Sequence, residues 1–307
     1  MEDYNKIIES LGIRYIKSKQ VKIVKPFKIS NYYDVENQLI LVEQGVCFFG
    51  PDSERISSGE ILFVPGGKLL SIVYGEKNTN VISNEDFVTG KEKYFEPLHS
   101  GVIINSESIV ISYINIEPKV FDTVNFFASL DIPAFKISGD QFIGKGIKEA
   151  ILEQKSKSVG QHRMTKTITE QIIIDLIRYI VDNNLFVEKL ATNVTYFKDP
   201  RLIDIFTYIK DHIEGDLSNQ KLANVANVSE DYVGQYFKML TGINPQDYIE
   251  YQRMELAVSK LRTTKLSIRE IGRNVGYKDT AYFCRRFKMM FGIPAGKMRR
   301  RETLINL

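Results

Sequence analysis

The chain has 307 residues, 43% apolar and 26% charged, an ordinary composition for a soluble globular protein of about two domains. Its net charge is only +3, yet the stretch from Arg253 to Arg301 holds 14 basic and 3 acidic residues, a skew that fits either a polyanion partner or a solvated face. Two distant cysteines, Cys47 and Cys284, exclude a disulfide framework and read as packed structural thiols, and the absence of a signal-like N-terminus or an apolar run near 20 residues predicts a cytoplasmic protein with no membrane partner.

In chain order, the first twenty residues suggest a short helix with Ile7, Ile8 and Leu11 on one face. From about Val21 to Glu117 the pattern changes to short runs with Gly, Pro and Asn between them. Examples are residues 38–42, 46–49, 61–64, 69–74 and 108–113. Many short strands with regular turns predict a small barrel or sandwich. Helical signals begin after Gly139. Over 167–181 the residues Ile168, Ile172, Leu176 and Ile180 recur four apart. That wide stripe reads equally as a core helix or as a dimer contact. Asn183-Asn184 breaks it, and the polar stretch up to Pro200 reads as a linker.

The C-terminal third contains an internal repeat. Phe237-Lys238-Met239-Leu240-Thr241-Gly242-Ile243 recurs as Phe287-Lys288-Met289-Met290-Phe291-Gly292-Ile293, and Leu217-Ser218 and Leu222-Ala223 recur as Leu266-Ser267 and Ile271-Gly272. Each copy reads as helix, tight turn, helix. Ser218 or Asn219 starts the first copy, and Ser229 caps its second helix, which carries Val233, Phe237 and Leu240 inward. In the second copy Ser267 and Glu270 have the spacing of a capping box. Gly276-Tyr277 makes the turn, and Asp279 caps a helix edged by Phe283, Phe287 and Phe291. Residues 245–261 read as one connecting helix with Pro at its start.

A short helix bracing a second one is the helix-turn-helix layout, in which the free face of the second helix enters the major groove of double-stranded DNA. In the second copy that face carries Lys278, Thr280, Ala281, Tyr282, Arg285 and Arg286, with Lys288 a phosphate candidate. Arginine can pair bidentately with guanine, while Thr280 and Ala281 can touch a thymine methyl. In the first copy the face carries Glu230, Asp231, Gln235 and Lys238. Gln235 suits adenine, but the two acids repel phosphate, so the second copy is expected to supply more electrostatic grip.

These residues resemble the AraC/XylS family of bacterial regulators. The resemblance rests on Ile268-Arg269-Glu270-Ile271-Gly272, Val275-Gly276-Tyr277, Tyr282-Phe283-Cys284-Arg285-Arg286-Phe287-Lys288 and Gly292-Ile293-Pro294. It covers about residues 199–301. Three departures stand out. Gly272 replaces the family's alanine, Gln235 stands where arginine is frequent, and Lys297-Met298 follows the last proline in place of Tyr-Arg, with Arg299-Arg300-Arg301 still able to meet phosphate. Residues 59–67 resemble the cupin-like sensor barrels of that family, and the 168–181 stripe resembles its dimer helices.

The resemblance implies an α+β chain. A cupin-like sensor and dimerisation domain would occupy 1–190, a linker 191–200 and the DNA-binding domain 201–307, with its two units at about 218–240 and 267–291. It further implies transcription control, more often activation, with RNA polymerase as partner, a homodimer, and a small-molecule effector of unknown identity. Control by dimerisation or a protein partner alone is the alternative. Catalysis is not expected: His99, His162 and His212 are widely separated, so the imidazole cluster of a metal cupin is missing and neither metal nor cofactor is predicted.

Overall fold

A computed structural model describes residues 5–299 apart from 6–7, 10, 78, 100–101, 121–123, 131, 187, 191–198, 242 and 292. Residues 5, 8 and 9 are helical, in keeping with the short helix expected at the start, and Ile7 lies outside the described residues, but Leu11 already belongs to a long strand, β1 (Leu11–Ile23). Pairing with a later strand along its whole length overrides the local 3.6-residue periodicity. There follow β2 (Phe27–Tyr32), β3 (Asn37–Gln44), β4 (Val46–Phe49), β5 (Glu54–Ser57), β6 (Ile61–Val64), β7 (Leu70–Tyr74) and β8 (Val81–Ile82). Helix α1 (Asn84–Thr89) follows, and β9 (Phe95–Pro97), β10 (Ile109–Val120) and β11 (Val124–Asn125) come next. A short α2 (Phe126–Ser129) and β12 (Phe135–Ile137) complete the β-rich part.

Two sheets result. One runs β12-β6-β3-β10-β1-β9, with β11 beside β10, and the other runs β5-β4-β7-β2-β8. The larger sheet is buried on both faces, which explains its unbroken apolar runs. Leu39, Leu41, Ile61, Phe63, Ile114 and Ile116 point into one core, and Ile40, Val42, Leu62, Val64, Ile111 and Tyr113 into the other. The second core lies against the smaller sheet, with Phe27, Ile29, Ile72 and Tyr74.

The first core is closed by α3 (Phe142–Ser156) and α4 (Gln161–Asp182). Of the apolar stripe on α4, Ile172, Leu176 and Ile180 are buried in this chain's own core, and Ile168 packs partly against it. Gly146 lets the two helices close, because a Cβ there would lie 2.7 Å from Ile172 Cγ1. These four side chains therefore brace the sheet within one chain, and their burial leaves little of them for a partner.

The helical third comprises α5 (Pro200–Asp211), α6 (Asn219–Ala226), α7 (Glu230–Thr241), α8 (Pro245–Thr263), α9 (Ile268–Asn274) and α10 (Thr280–Phe291). Asp199 caps α5, accepting from the amide of Arg201 at 3.1 Å. Each core continues into one helix-turn-helix pair and the helices packed on it. The first takes in Phe206, Leu222, Val233, Phe237, Tyr248 and Ile249, and the second Met254, Val258, Leu261, Ile271, Phe283, Phe287 and Phe291. The N-terminal half of α8 thus belongs to α5–α7, and its C-terminal half to α9–α10.

Candidate nucleic-acid interface

The two helix pairs repeat each other in backbone detail. The turn after α6 passes through Asn227 at φ +53°, and the amide of Val228 donates to the Ala223 carbonyl at 3.0 Å. The turn after α9 passes through Gly276 at φ +88°, and the amide of Tyr277 donates to the Gly272 carbonyl at 2.9 Å. A left-handed residue closes both helices, as glycine and asparagine allow. Gly276 has a second reason to be glycine: a Cβ would come within 2.7 Å of the Arg253 guanidinium. That guanidinium reaches back from α8 to donate to the carbonyls of Ile213 and Gly215, at 3.0 and 2.8 Å. It lies 6.0 Å from the Tyr277 ring centre, so it joins both units.

Ser267 and Glu270 form the expected capping box. The Glu270 amide donates to Ser267 Oγ at 3.2 Å, and the Ser267 amide donates to Glu270 Oε2 at 2.7 Å. Those bonds hold the Glu270 carboxyl below the usual carboxylate range. Asp279 caps α10 through the amide of Tyr282. Ser218 begins α6 without a side-chain cap bond.

Phe283, Phe287 and Phe291 are fully buried and anchor α10 against the core. Its opposite face exposes Ala281, Tyr282, Arg285 and Lys288, with Lys278 just before it and Thr280 half-buried at its start. Arg285 lies 5.9 Å from the Tyr282 ring centre, which pre-orients the guanidinium on that face. On α7 the exposed residues are Glu230, Asp231, Tyr232, Gln235, Lys238 and Met239. The side chain of Leu240, and residues Gly242, Gly292, Arg300 and Arg301, lie outside the described residues.

Two of the expected phosphate or base contacts are engaged elsewhere. Arg286 makes a two-pronged ion pair with Glu250 of α8, and its charge is strongly favoured by those bonds. Arg299 donates to the Leu266 carbonyl. The last turn also buries Met298, at 6% exposure, which accommodates Lys297-Met298 after the final proline. Conversely, Tyr232 and Tyr282, and Met239 and Met289, occupy equivalent exposed places at 44%, 47%, 59% and 70%. The sequence reading passed over Tyr232 and both methionines as interface residues. The signal was present in the repeat, because exposed apolar side chains at the same places in both units are not explained by either core.

Among the described residues no group of three His, Cys, Asp or Glu side chains is placed to hold a metal ion. Cys47 is buried, which pushes its thiol up to about 12, and Cys284 is half-buried. No helix among the described residues is long and apolar enough to cross a membrane.

A family model described as a helix-turn-helix domain matches residues 222–301. The arabinose operon regulatory protein of Escherichia coli is 35% identical over 104 residues, 33% of this chain and 35% of that protein. The C-terminal third is an AraC-type helix-turn-helix domain. Beyond this AraC-type domain the likeness is thinner. The uncharacterized HTH-type transcriptional regulator YdeC of Bacillus subtilis is 22% identical over 260 residues, 82% of this chain and 80% of its own length. The crystal structure of ToxT from Vibrio cholerae O395 matches with a TM-score of 0.53 at 12% identity, covering 96% of this chain and 99% of that one. At that identity the likeness concerns the fold alone, a β-rich part followed by a helical part. The chain spans about a third of the length of the first curated relatives it matches.

Proposed function

We propose that the protein is a sequence-specific transcription regulator of the AraC/XylS kind, acting as an activator. Its two helix-turn-helix units would read adjacent major grooves of double-stranded DNA. The observation that carries this reading is the pair of matching outward faces on α7 and α10, held at a fixed spacing by the shared helix α8. Arg285 is the foremost base reader. Tyr282 and Tyr232 would support it through stacking and methyl contacts, and Lys288, Lys238 and Lys278 would grip phosphate. Arg286 would act within the protein, setting α10 against α8. Glu230, Asp231, Gln235, Thr280 and Ala281 complete the reading faces.

The β-rich part would serve as a cupin-like sensor of a small molecule, over residues 1–190, with 191–200 as the linker to the DNA-binding domain at 201–307. RNA polymerase is the expected partner, the cytoplasm the expected compartment, and a homodimer the expected working unit. Because Ile172, Leu176 and Ile180 are buried within the chain, a dimer would use the outward face of α4, on which Met164 is exposed. No catalytic step is assigned to the chain.

Capture of sheared genomic DNA at fixed physiological salt, followed by sequencing, tests the reading. The expected result is a bipartite motif with blocks about 10 base pairs apart. Retention of no DNA, with or without cell extract, overturns it.

A further inference from the structure

Where the β-rich part meets α5 and α8 the surface folds into a cavity of about 260 Å³. Its lining joins Arg14 of β1, Glu117 and Lys119 of β10, Lys210 of α5, and Tyr248, Gln252 and Glu255 of α8. Glu255 is a carboxyl 8% exposed, and its Oε1 has no hydrogen-bond partner. The Tyr248 hydroxyl and the Gln252 Nε2, on the same wall, are likewise buried and without partners. Buried polar atoms are nearly always hydrogen-bonded, so three orphans around one cavity indicate a polar occupant.

The charges around the cavity narrow that occupant. Glu117 is already paired with Arg14 and Lys119 and shares a hydrogen bond with the Glu255 carboxyl, which leaves Glu255 Oε1 as the unmet atom. Lys210 stands exposed with no ion-pair partner among the described residues. The cavity therefore presents an unmet acceptor on Glu255, unmet donors on Gln252 and Tyr248, and an unpaired cation on Lys210. We propose that this seam binds a small zwitterion of the amino-acid class, its ammonium on Glu255 and its carboxylate toward Lys210, with Gln252 and Tyr248 donating to its oxygens. The volume suits a molecule of that size. Binding does not depend on the regulator reading. An effect on DNA does, since an occupant touching both β10 and α8 would bear on the helix that spaces the two reading units.

A specific signature follows. Burial, and the neighbouring Glu117 carboxyl that shares a hydrogen bond with it, hold Glu255 well above the usual carboxylate range, so the empty cavity favours a proton on this pair. The other groups facing it are Arg14, Tyr33, Lys119 and Lys210 across the seam, and Tyr248 and Tyr251 on its own helix. A bound ammonium favours the carboxylate, so binding expels that proton to the buffer, and affinity rises with pH until the empty site has lost the proton by itself.

The test uses the full chain and each of the twenty proteinogenic L-amino acids as probes, first by thermal shift and then by calorimetry at pH 7 in two buffers of different ionisation heat. The expected result is a raised Tm with one or a few of them, proton release on binding, and a roughly tenfold or greater loss of affinity in Glu255→Gln. That variant keeps the shape of the neutral side chain. Lys210→Ala, on an exposed site, should weaken binding without altering the fold. The proposal fails if none of the twenty shifts Tm, or if the shift is the same in both variants. DNA capture on the same preparation separates the two readings: specific DNA retention with no amino-acid response sinks the cavity proposal alone.

Discussion

The two helix-turn-helix units have the same backbone plan and pack differently. Positions equivalent by the repeat are Ala223 and Val233 in the first unit, and Gly272 and Phe283 in the second. A Cβ on Gly272 would sit 3.2 Å from the Phe283 ring, tighter than ordinary contact. The aromatic ring and the missing methyl are therefore one choice made at two positions. Glycine inside a helix costs about 1 kcal/mol against alanine, and the second unit offsets this with a larger buried ring and a capping box at Ser267. The first unit is held from outside as well: the Arg201 guanidinium of α5 lies over Tyr236, 4.8 Å from its centre. At the matching place in the second unit stands Arg286, tied to Glu250. A charge–ring contact in one unit is replaced by an ion pair in the other.

The comparison is broken most severely by removing the anchors. Phe283→Ala should lower unfolding stability by about 3–5 kcal/mol, against about 2 kcal/mol for Val233→Ala, read from urea midpoints. Similar losses would mean that the second unit does not depend on its ring. Next comes reading: Arg285→Ala should reduce discrimination at one base pair by about 1–3 kcal/mol, and Gln235→Ala should do less. Equal losses on specific and random DNA would deny Arg285 a base contact.

Smaller effects sharpen the same contrast. Ser267→Ala should cost about 1 kcal/mol through its lost cap, while Ser218→Ala, with no side-chain cap bond to lose, should cost a few tenths. Gly272→Ala should destabilise the native chain by about 1 kcal/mol through overpacking. In a Phe283→Val background it should stabilise by up to about 1 kcal/mol, since that pair rebuilds the first unit's solution. A double-mutant cycle with no coupling would show that the two positions are independent. The gentlest test is salt: Lys288→Ala and Lys238→Ala should each reduce the slope of log affinity against log salt by about 1.

Much of this was legible in the sequence, because the signals were local and repeated. The offset between Phe237 and Phe287 exposed both units, the spacing of Ser267 and Glu270 announced their cap, and the runs at 38–42 and 61–64 became β3 and β6. What escaped depended on partners far away in the chain. Leu11 to Ile23 is a strand because β10 lies beside it. Arg286 looks free on a helical wheel and is held by Glu250, 36 residues earlier. The α4 stripe left two readings open, and only the position of α3 and the sheet shows those side chains filling this chain's own core.

The seam between the β-rich part and the second unit is also fitted closely. Arg262 of α8 pairs with Glu36 and lies 3.8 Å from Asp34, Asn84 donates to the Phe291 carbonyl at 3.2 Å, and a Cβ on Gly67 would strike the Tyr251 ring at 2.8 Å. Recombination between related genes would tend to swap one half of such a protein for another. Here a foreign helical half would arrive with its own residues opposite Glu36, Gly67 and Asn84. A chimera would have to restore those three matches together, so the two halves are expected to be inherited as a unit.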